Sequence, residues 1–410
     1  MFGSGFGFGA GFGSGFGLRQ ARASIKVSAC SALVLGMLGS AALAQTNAAA
    51  TLSATSFTSD FSAMASLKAL AAEGKGKIGV LLPETTTSAR YTSFDAPYLK
   101  EALTMAGLAP DQFVITNAQG SESTELTQAQ ADISQGASVL LMDPISSGVG
   151  ASIESYGASH GVPVIDYDRL TLGGSRAFYV SFNNVEVGRL IGQGMVSCLQ
   201  AWNVAKPQIL IMRGAPTDNN ATLFAEGYDG VLAPYFASGQ YVKVGEPAGT
   251  WDPETARTTF EEQLTAHRNM NAVVTPNDDN ANAVISYLET LRVPPMRFPT
   301  TGQDATLTGL RNVLAGYQCG TAYKPIYLEA QAAAALAIYL RAHAEPPKTL
   351  VNGTTMDTIQ NKPVPSVLLT PIWVTPANMA ATVVKDAFVK AAQLCAGALA
   401  DACKKAGISF

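Results

Sequence analysis

Histidine is scarce in this 410-residue chain: His160, His267 and His343 stand far apart, and none has ligand spacing to a cysteine. A metal site is therefore not expected, because such centres draw on clustered imidazole and thiolate ligands. Charge is scarce as well, with 14% charged residues and a formal net charge of −4, which argues against a nucleic-acid partner. No Gly-x-Ser-x-Gly elbow, His-Glu-x-x-His helix or phosphate-cradling loop occurs, so the familiar hydrolytic and nucleotide-binding motifs are missing. No cofactor is expected. Beyond residue 44 there is also no run of the roughly 20 apolar residues that a membrane span needs.

What is present is a globular composition, 47% hydrophobic, in a chain long enough for two domains. The first 17 residues form a Phe/Gly/Ser lead of low complexity. Arg19, Arg22 and Lys26 then precede an apolar run, Val27 to Leu43, that ends in Ala42-Leu43-Ala44. These are the charged region, apolar core and small-residue cleavage site of a secretory signal peptide, with cleavage expected after Ala44 and a retained anchor as the rival. The mature protein is expected outside the cytoplasm, in a periplasm or at a cell surface. Cleavage would remove three positive charges and no negative ones, leaving a more acidic chain. It would also remove Cys30 and leave Cys198, Cys319, Cys395 and Cys403, an even number in an oxidising compartment. Three pairings are possible; Cys395 with Cys403 and Cys198 with Cys319 is the one we favour.

From Gln45 to about Ser66 the sequence is rich in Ala, Thr and Ser, and 45–76 is expected to be a flexible leader. Strand and helix patterns then alternate. Apolar runs at Lys77 to Leu82, Phe113 to Thr116, Ser138 to Met142 and Val162 to Tyr167 are separated by helical patterns. A second series runs from Val187 through Gln208 to Met212, Tyr241 to Gly245, Ala272 to Thr275 and Phe298 to Thr301. Repeated βαβ units predict an α/β fold with parallel sheets. An Ala-rich helix from Pro325 to Ala344 and a late strand, Ser366 to Leu369, would return the chain between two lobes. The expected lobes are 77–182 with about 325–350, and 183–324 with about 351–410.

In such sheets ligands sit beyond the carboxyl ends of the strands. The polar residues collected there are Arg90 and Tyr91, Asp168 and Arg169, Asp218 and Asn220, Asn277 with Asp278, Gln303 and Asp304, and Lys324. Carboxylates and guanidinium groups grip adjacent hydroxyls through charge-assisted hydrogen bonds. The mixture of signs opposes both phosphates and polyamines and suits a neutral sugar. Tyr91 and Trp251 are candidates for stacking on its C–H faces. Paired carboxylates, Asp278 and Asp304, also allow a glycoside-processing enzyme as a rival.

At these residues the sequence resembles the sugar-binding proteins of bacterial ABC importers with the type I periplasmic-binding-protein fold, most closely the D-xylose-binding group. The resemblance is carried by Ala89-Arg90-Tyr91, Tyr167-Asp168-Arg169, the block Val180 to Gly188, Thr217 to Ala221, Thr250 to Glu254, Pro276-Asn277-Asp278, Gly302 to Ala305, Tyr323 to Ile326 and Leu368 to Pro371. It implies two lobes joined by three hinge strands. It assigns sugar contacts to Arg90, Asp168, Arg169, Asp218, Asn220, Asn277, Asp304 and Lys324, with Tyr91 and Trp251 sandwiching the ring. Tyr91 stands where tryptophan is common in the family and Asn183 where aspartate is common, which bears on the choice of aldose. The implied partners are a monosaccharide (xylose or a related aldose) and a membrane ABC permease, with a chemoreceptor or sensor kinase as an alternative reader of occupancy. A monomer that binds no nucleic acid is expected. A sugar-responsive repressor of the same fold would need an N-terminal helix-turn-helix, where this chain has the export signal.

Overall fold

The computed structural model describes residues 52–410 apart from Thr86 and Ala89. The expected export signal, the low-complexity lead, Cys30 and the first residues of the leader lie outside the described residues. The rest of the leader is not the flexible segment expected from its composition. Leu52, Phe57, Phe61, Met64, Leu67 and Ala71 are buried in the main core, and a 3-10 turn, Ser62–Leu67, runs into α1 (Lys68–Glu73). From Phe57 onward these residues recur every three or four positions, the period of a helix face. Their apolar stripe was diluted by intervening Ala, Ser and Thr. Two side chains from distant sequence stitch the segment down: Gln331 Nε2 donates to the Thr58 carbonyl at 2.9 Å and Thr349 Oγ1 to that of Leu52 at 2.8 Å.

The chain continues through β1 (Lys77–Leu82), a π turn at Tyr91–Asp95, α2 (Ala96–Met105), β2 (Phe113–Asn117), α3 (Glu122–Ser134), β3 (Ala137–Met142), α4 (Ser147–Ser159), β4 (Val164–Tyr167) and β5 (Phe178–Phe182). There follow α5 (Asn184–Ala201), β6 (Gln208–Ile211), α6 (Asn219–Ala237), β7 (Val242–Gly245), α7 (Pro253–Ala266), β8 (Ala272–Val274), α8 (Asp278–Thr290), α9 (Leu307–Ala315) and β9 (Thr321–Tyr323). Last come α10 (Ile326–Arg341), β10 (Gly353–Asp357), β11 (Lys362–Leu369), β12 (Ile372–Val374) and a helical C-terminal segment. Asp or Ser/Thr/Asn side chains cap α3 to α9 by accepting from a backbone N–H in the first turn. These caps are why the loops ahead of α3 to α9 finish in a polar residue.

The first sheet has seven strands in the order β10-β11-β5-β4-β3-β1-β2, all parallel except β10. The second has a parallel core, β7-β6-β8, and single bridges from Val273 to Thr300 and from Gln303 to Ala322 carry it on to the antiparallel pair β9 and β12. This is the α/β class expected from the sequence. The chain passes between the sheets three times, near 182–184, 323–326 and 369–372.

Two expectations need correction. The late strand belongs to the first sheet: β11 pairs in parallel with β5, Ser366 opposite Tyr179 and Leu369 opposite Phe182. Residues 353–369 therefore do not sit with the second lobe. Only β12 and the segment after it do, packing with Tyr323 and α9. The partner of β11 lies nearly two hundred residues upstream, beyond the reach of local pattern. Phe298 to Thr301 is likewise not a full strand, because Pro299 has no N–H to donate. The Thr301 hydroxyl takes over, accepting from Thr275 N and donating to Thr275 O, each at 3.0 Å.

The helix α10 is mostly apolar and nearly wholly buried, the signature of a core helix. Its alanines let it lie close to the first sheet. Disulfides join Cys198 of α5 to Cys319 beside β9, and Cys395 to Cys403 within the C-terminal segment. The first closes 121 residues, a loop whose closure entropy is worth about 4–5 kcal/mol in the chain-entropy account.

Leu67→Ala should lower the unfolding free energy by about 2–5 kcal/mol, the cost of a core cavity, in a urea titration. A change below about 0.5 kcal/mol, typical of an exposed site, would mean the leader is not part of the core. Stability should also depend on Glu125, buried on α3 with Ile145 N donating to it at 3.1 Å. Burial pushes its carboxyl from the ordinary 4.5 up to about 8. A raised carboxyl favours folding while it keeps its proton, so this contribution is lost as pH climbs through about 8. Glu125→Gln should flatten the fall in stability between about pH 5 and pH 8; parallel profiles would contradict the assignment.

Candidate functional site

The carboxyl ends of both parallel sheets converge on one pocket of about 310 Å³ of space. From the first sheet come Ser88, Arg90 and Tyr91 after β1, and Asp168 and Arg169 after β4. From the second come Asp218, Asn220 and Phe224 after β6, Trp251 after β7, Asn277 after β8, Gln303 and Asp304, and Lys324 after β9. All ten residues proposed from the sequence as ligand contacts line it. Gln303, collected with Asp304 among the strand-end residues, lines it too. Ser88 and Phe224 were not among the residues singled out from the sequence; Phe224 lies one helical turn beyond Asn220 on the same face of α6, a signal that was available.

The wall is an ionic circuit. Lys324 Nζ lies 3.1 Å from Asp304 Oδ1 and 3.8 Å from Asp168 Oδ1, so it connects carboxylates delivered by the two sheets. Arg90 reaches Asp168 through Nη1 at 2.6 Å. Its planar fork, however, is occupied by Asp95 at 2.9 and 2.7 Å, and Nη2 also donates to Glu329 at 2.8 Å. The bidentate grip proposed for a ligand is thus used internally. Arg169 lies between Asp218 and Asp143, at 3.2 and 3.6 Å. Its Nη2 donates to the Tyr91 hydroxyl at 3.0 Å, and that hydroxyl donates to Asp168 at 3.2 Å. The Tyr91 ring lies 5.4 and 5.6 Å from the Arg90 and Arg169 guanidinium carbons, within cation–π range. Trp251 Nε1 donates to Asp218 at 3.1 Å.

Asn220 is also largely engaged. Its Nδ2 donates to the Asp168 carbonyl at 2.9 Å, and its Oδ1 accepts from Tyr179 and Asn184 at 3.1 and 2.8 Å. It therefore ties α6 to the first sheet's loop. Asp278, the proposed partner of Asp304 in a catalytic carboxylate pair, does not line the pocket. Thr306 N and Gln318 Nε2 each donate to it at 2.8 Å, and burial pushes its carboxyl up to about 8.

Burial alone would raise the Asp168 carboxyl, but Arg90, Lys324 and Arg169 beside it outweigh that and hold it below its ordinary value. For Asp218 burial wins over Arg169, and its carboxyl is raised. Asp143 and Glu329, behind the wall, are pushed up by burial, Glu329 to about 8. Among the lining side chains three cations face three carboxylates. The arrangement suits an uncharged ligand rich in hydroxyls, since an anion or cation would leave one sign unpaired in a buried site. Gln303 Oε1 is buried without a hydrogen-bond partner among the described residues, an acceptor a hydroxyl would satisfy.

Two of the pocket-lining carboxylates stand on unusual backbone. Asp168 has φ 59° and Asp304 φ 88°, followed by Ala305 at 51°. Left-handed conformations cost L residues about 1–3 kcal/mol and persist where neighbours over-determine them. Here the Asp168 and Asp304 amides donate to Val180 O and Ala322 O, both at 2.9 Å. Among the described residues no cluster of His, Cys, Asp or Glu is placed to hold a metal ion, and no helix is long and apolar enough to cross a membrane.

The sequence profile of the periplasmic binding protein domain matches residues 78–345. The chain is 37% identical over 284 residues to the D-xylose-binding periplasmic protein of Escherichia coli strain K12, an alignment covering 68% of this chain and 82% of that protein. It is 30% identical over 342 residues to the multiple sugar-binding periplasmic receptor ChvE of Rhizobium radiobacter, covering 79% and 93%. A solved ABC transporter solute-binding protein from Clostridium phytofermentans with bound β-D-glucose matches with a TM-score of 0.69 at 26% identity, covering 77% of this chain and 99% of that one. The chain belongs to the periplasmic binding protein family, whose members are solute receptors and not enzymes.

Proposed function

We propose that the protein captures a neutral monosaccharide, D-xylose, between its two lobes outside the cytoplasm and delivers it to a membrane ABC permease. The observation that carries the reading is the balanced wall, three cations against three carboxylates closed through Lys324, Asp168 and Asp304. D-Xylose is chosen because the relatives at 37% and 34% identity are named for it. Other relatives named or solved with several sugars keep the choice of aldose open to test. Ligand contacts from both sheets would favour a closed state about the three chain crossings. The same closure could report occupancy to a chemoreceptor or kinase, a second reading favoured by the receptor name of the relative at 30% identity.

Calorimetric titration with D-xylose, D-glucose, L-arabinose and D-ribose tests this directly. We expect one-to-one binding, tightest for D-xylose. Asp304→Asn keeps the volume and tolerates the left-handed backbone but leaves the buried Lys324 ammonium short of a partner. It should weaken binding at least about 100-fold, as breaking a buried charge pair does. Heat from none of the sugars would sink the proposal.

A further inference from the structure

Outside the pocket, the rings of Phe94 and Phe388 lie face to face, centroids 3.9 Å apart and planes 11° from parallel. They come from different halves of the molecule. Phe94 sits in the π turn Tyr91–Asp95, directly after Arg90. Phe388 belongs to the C-terminal segment, which Arg311 of α9 pins to the second half by donating to the Gln393 and Leu394 carbonyls at 2.9 and 3.0 Å. Phe388 also meets the Tyr323 ring edge-on at 4.8 Å, and Tyr323 immediately precedes Lys324. The stack therefore runs from the turn bearing Tyr91 to the strand bearing Lys324. Neither ring lines the pocket.

The turn that presents Phe388 is held firmly. Asp386 accepts from the Tyr323 and Tyr327 hydroxyls, both at 3.1 Å, and Ala387 takes a left-handed φ of 54° that L residues rarely adopt. Next to the stack is an open cavity of about 1030 Å³, with Ser93, Phe94 and Tyr98 on one side and Thr306, Leu307 and Phe388 on the other. Phe94 and Tyr98 thus pack here against the apolar cluster of the second half that includes Tyr323, Val383 and Phe388, beside open space.

We infer that Phe94 and Phe388 form a latch between the lobes, and that both act as positioning residues for the sugar site. This rests on the reading that a sugar binds between lobes that open and close. Separating the rings on opening would forfeit the stack and expose apolar surface, so the pair biases the equilibrium toward the closed state. A ligand that needs the closed state binds more tightly in proportion to that population.

The test compares the full chain with Phe94→Leu, Phe388→Leu, the double variant and Phe94→Tyr. Stopped-flow release of D-xylose is measured, together with the closed-state population without sugar, from single-molecule energy transfer between dyes on the two lobes. Each Leu variant should release xylose about three- to tenfold faster and lower the closed population by a similar factor, the range expected for an aromatic pair. The double variant should add little to either single one, Phe94→Tyr should behave like the parent, and the melting temperature should fall by less than about 3 °C. Unchanged release and unchanged population in folded variants would overturn the latch, as would fully additive effects. If the parent binds no sugar, the proposed cargo fails, and the energy-transfer populations alone decide the latch in the same way.

Discussion

One ammonium group holds the site together. Lys324, on the strand end where the chain is about to leave the second sheet for α10, stands between Asp304 of that sheet and Asp168 of the first. A buried lysine is tolerable only with charged partners close by, so its position requires both carboxylates, and they in turn require the left-handed turns that aim them inward. Arg90 and Arg169 then complete the balance, each anchored from behind by carboxyls that never reach the pocket: Asp95 and Glu329 for Arg90, Asp143 for Arg169. The result is a polar surface whose own lining side chains are balanced, three cations against three carboxylates.

The fold makes this convergence possible because every parallel strand in both sheets ends on the same side. After β2, β3, β5, β6, β7 and β8 a polar residue caps the next helix, and it stands within a few residues of the strand end. Asp218, for instance, caps α6 through Asn220 N at 2.8 Å while its other oxygen takes the Trp251 indole N–H. Capping and pocket lining are therefore the same chemistry at several positions. The same economy appears at Asn220, whose amide both borders the pocket and ties the second half to the Asp168 loop.

Much of this was legible in the chain. Alternating apolar runs and capping residues located the parallel strands, and the polar residues after them located the pocket wall. Three things were not. The second layer, Asp95, Asp143 and Glu329, lies on helices and strand ends where a carboxylate looks like an ordinary surface residue; only the three-dimensional approach of Arg90 and Arg169 shows that these are buried. The leader looked flexible because Leu67 and its apolar neighbours are spaced among small polar residues. β11 looked like part of the second half because strand pairing across such a distance leaves no local trace. Arg90 marks a different limit: its presence at the site was readable, but not that its fork faces Asp95.

A crystal structure of the chain with D-xylose tests the central claim most directly. The account predicts the sugar between the sheets, with hydroxyls about 2.6–3.2 Å from the Asp304 carboxylate, Lys324 Nζ and Gln303 Oε1. A sugar held elsewhere, such as in the cavity beside Phe388, with the Lys324 pairings untouched, would contradict it.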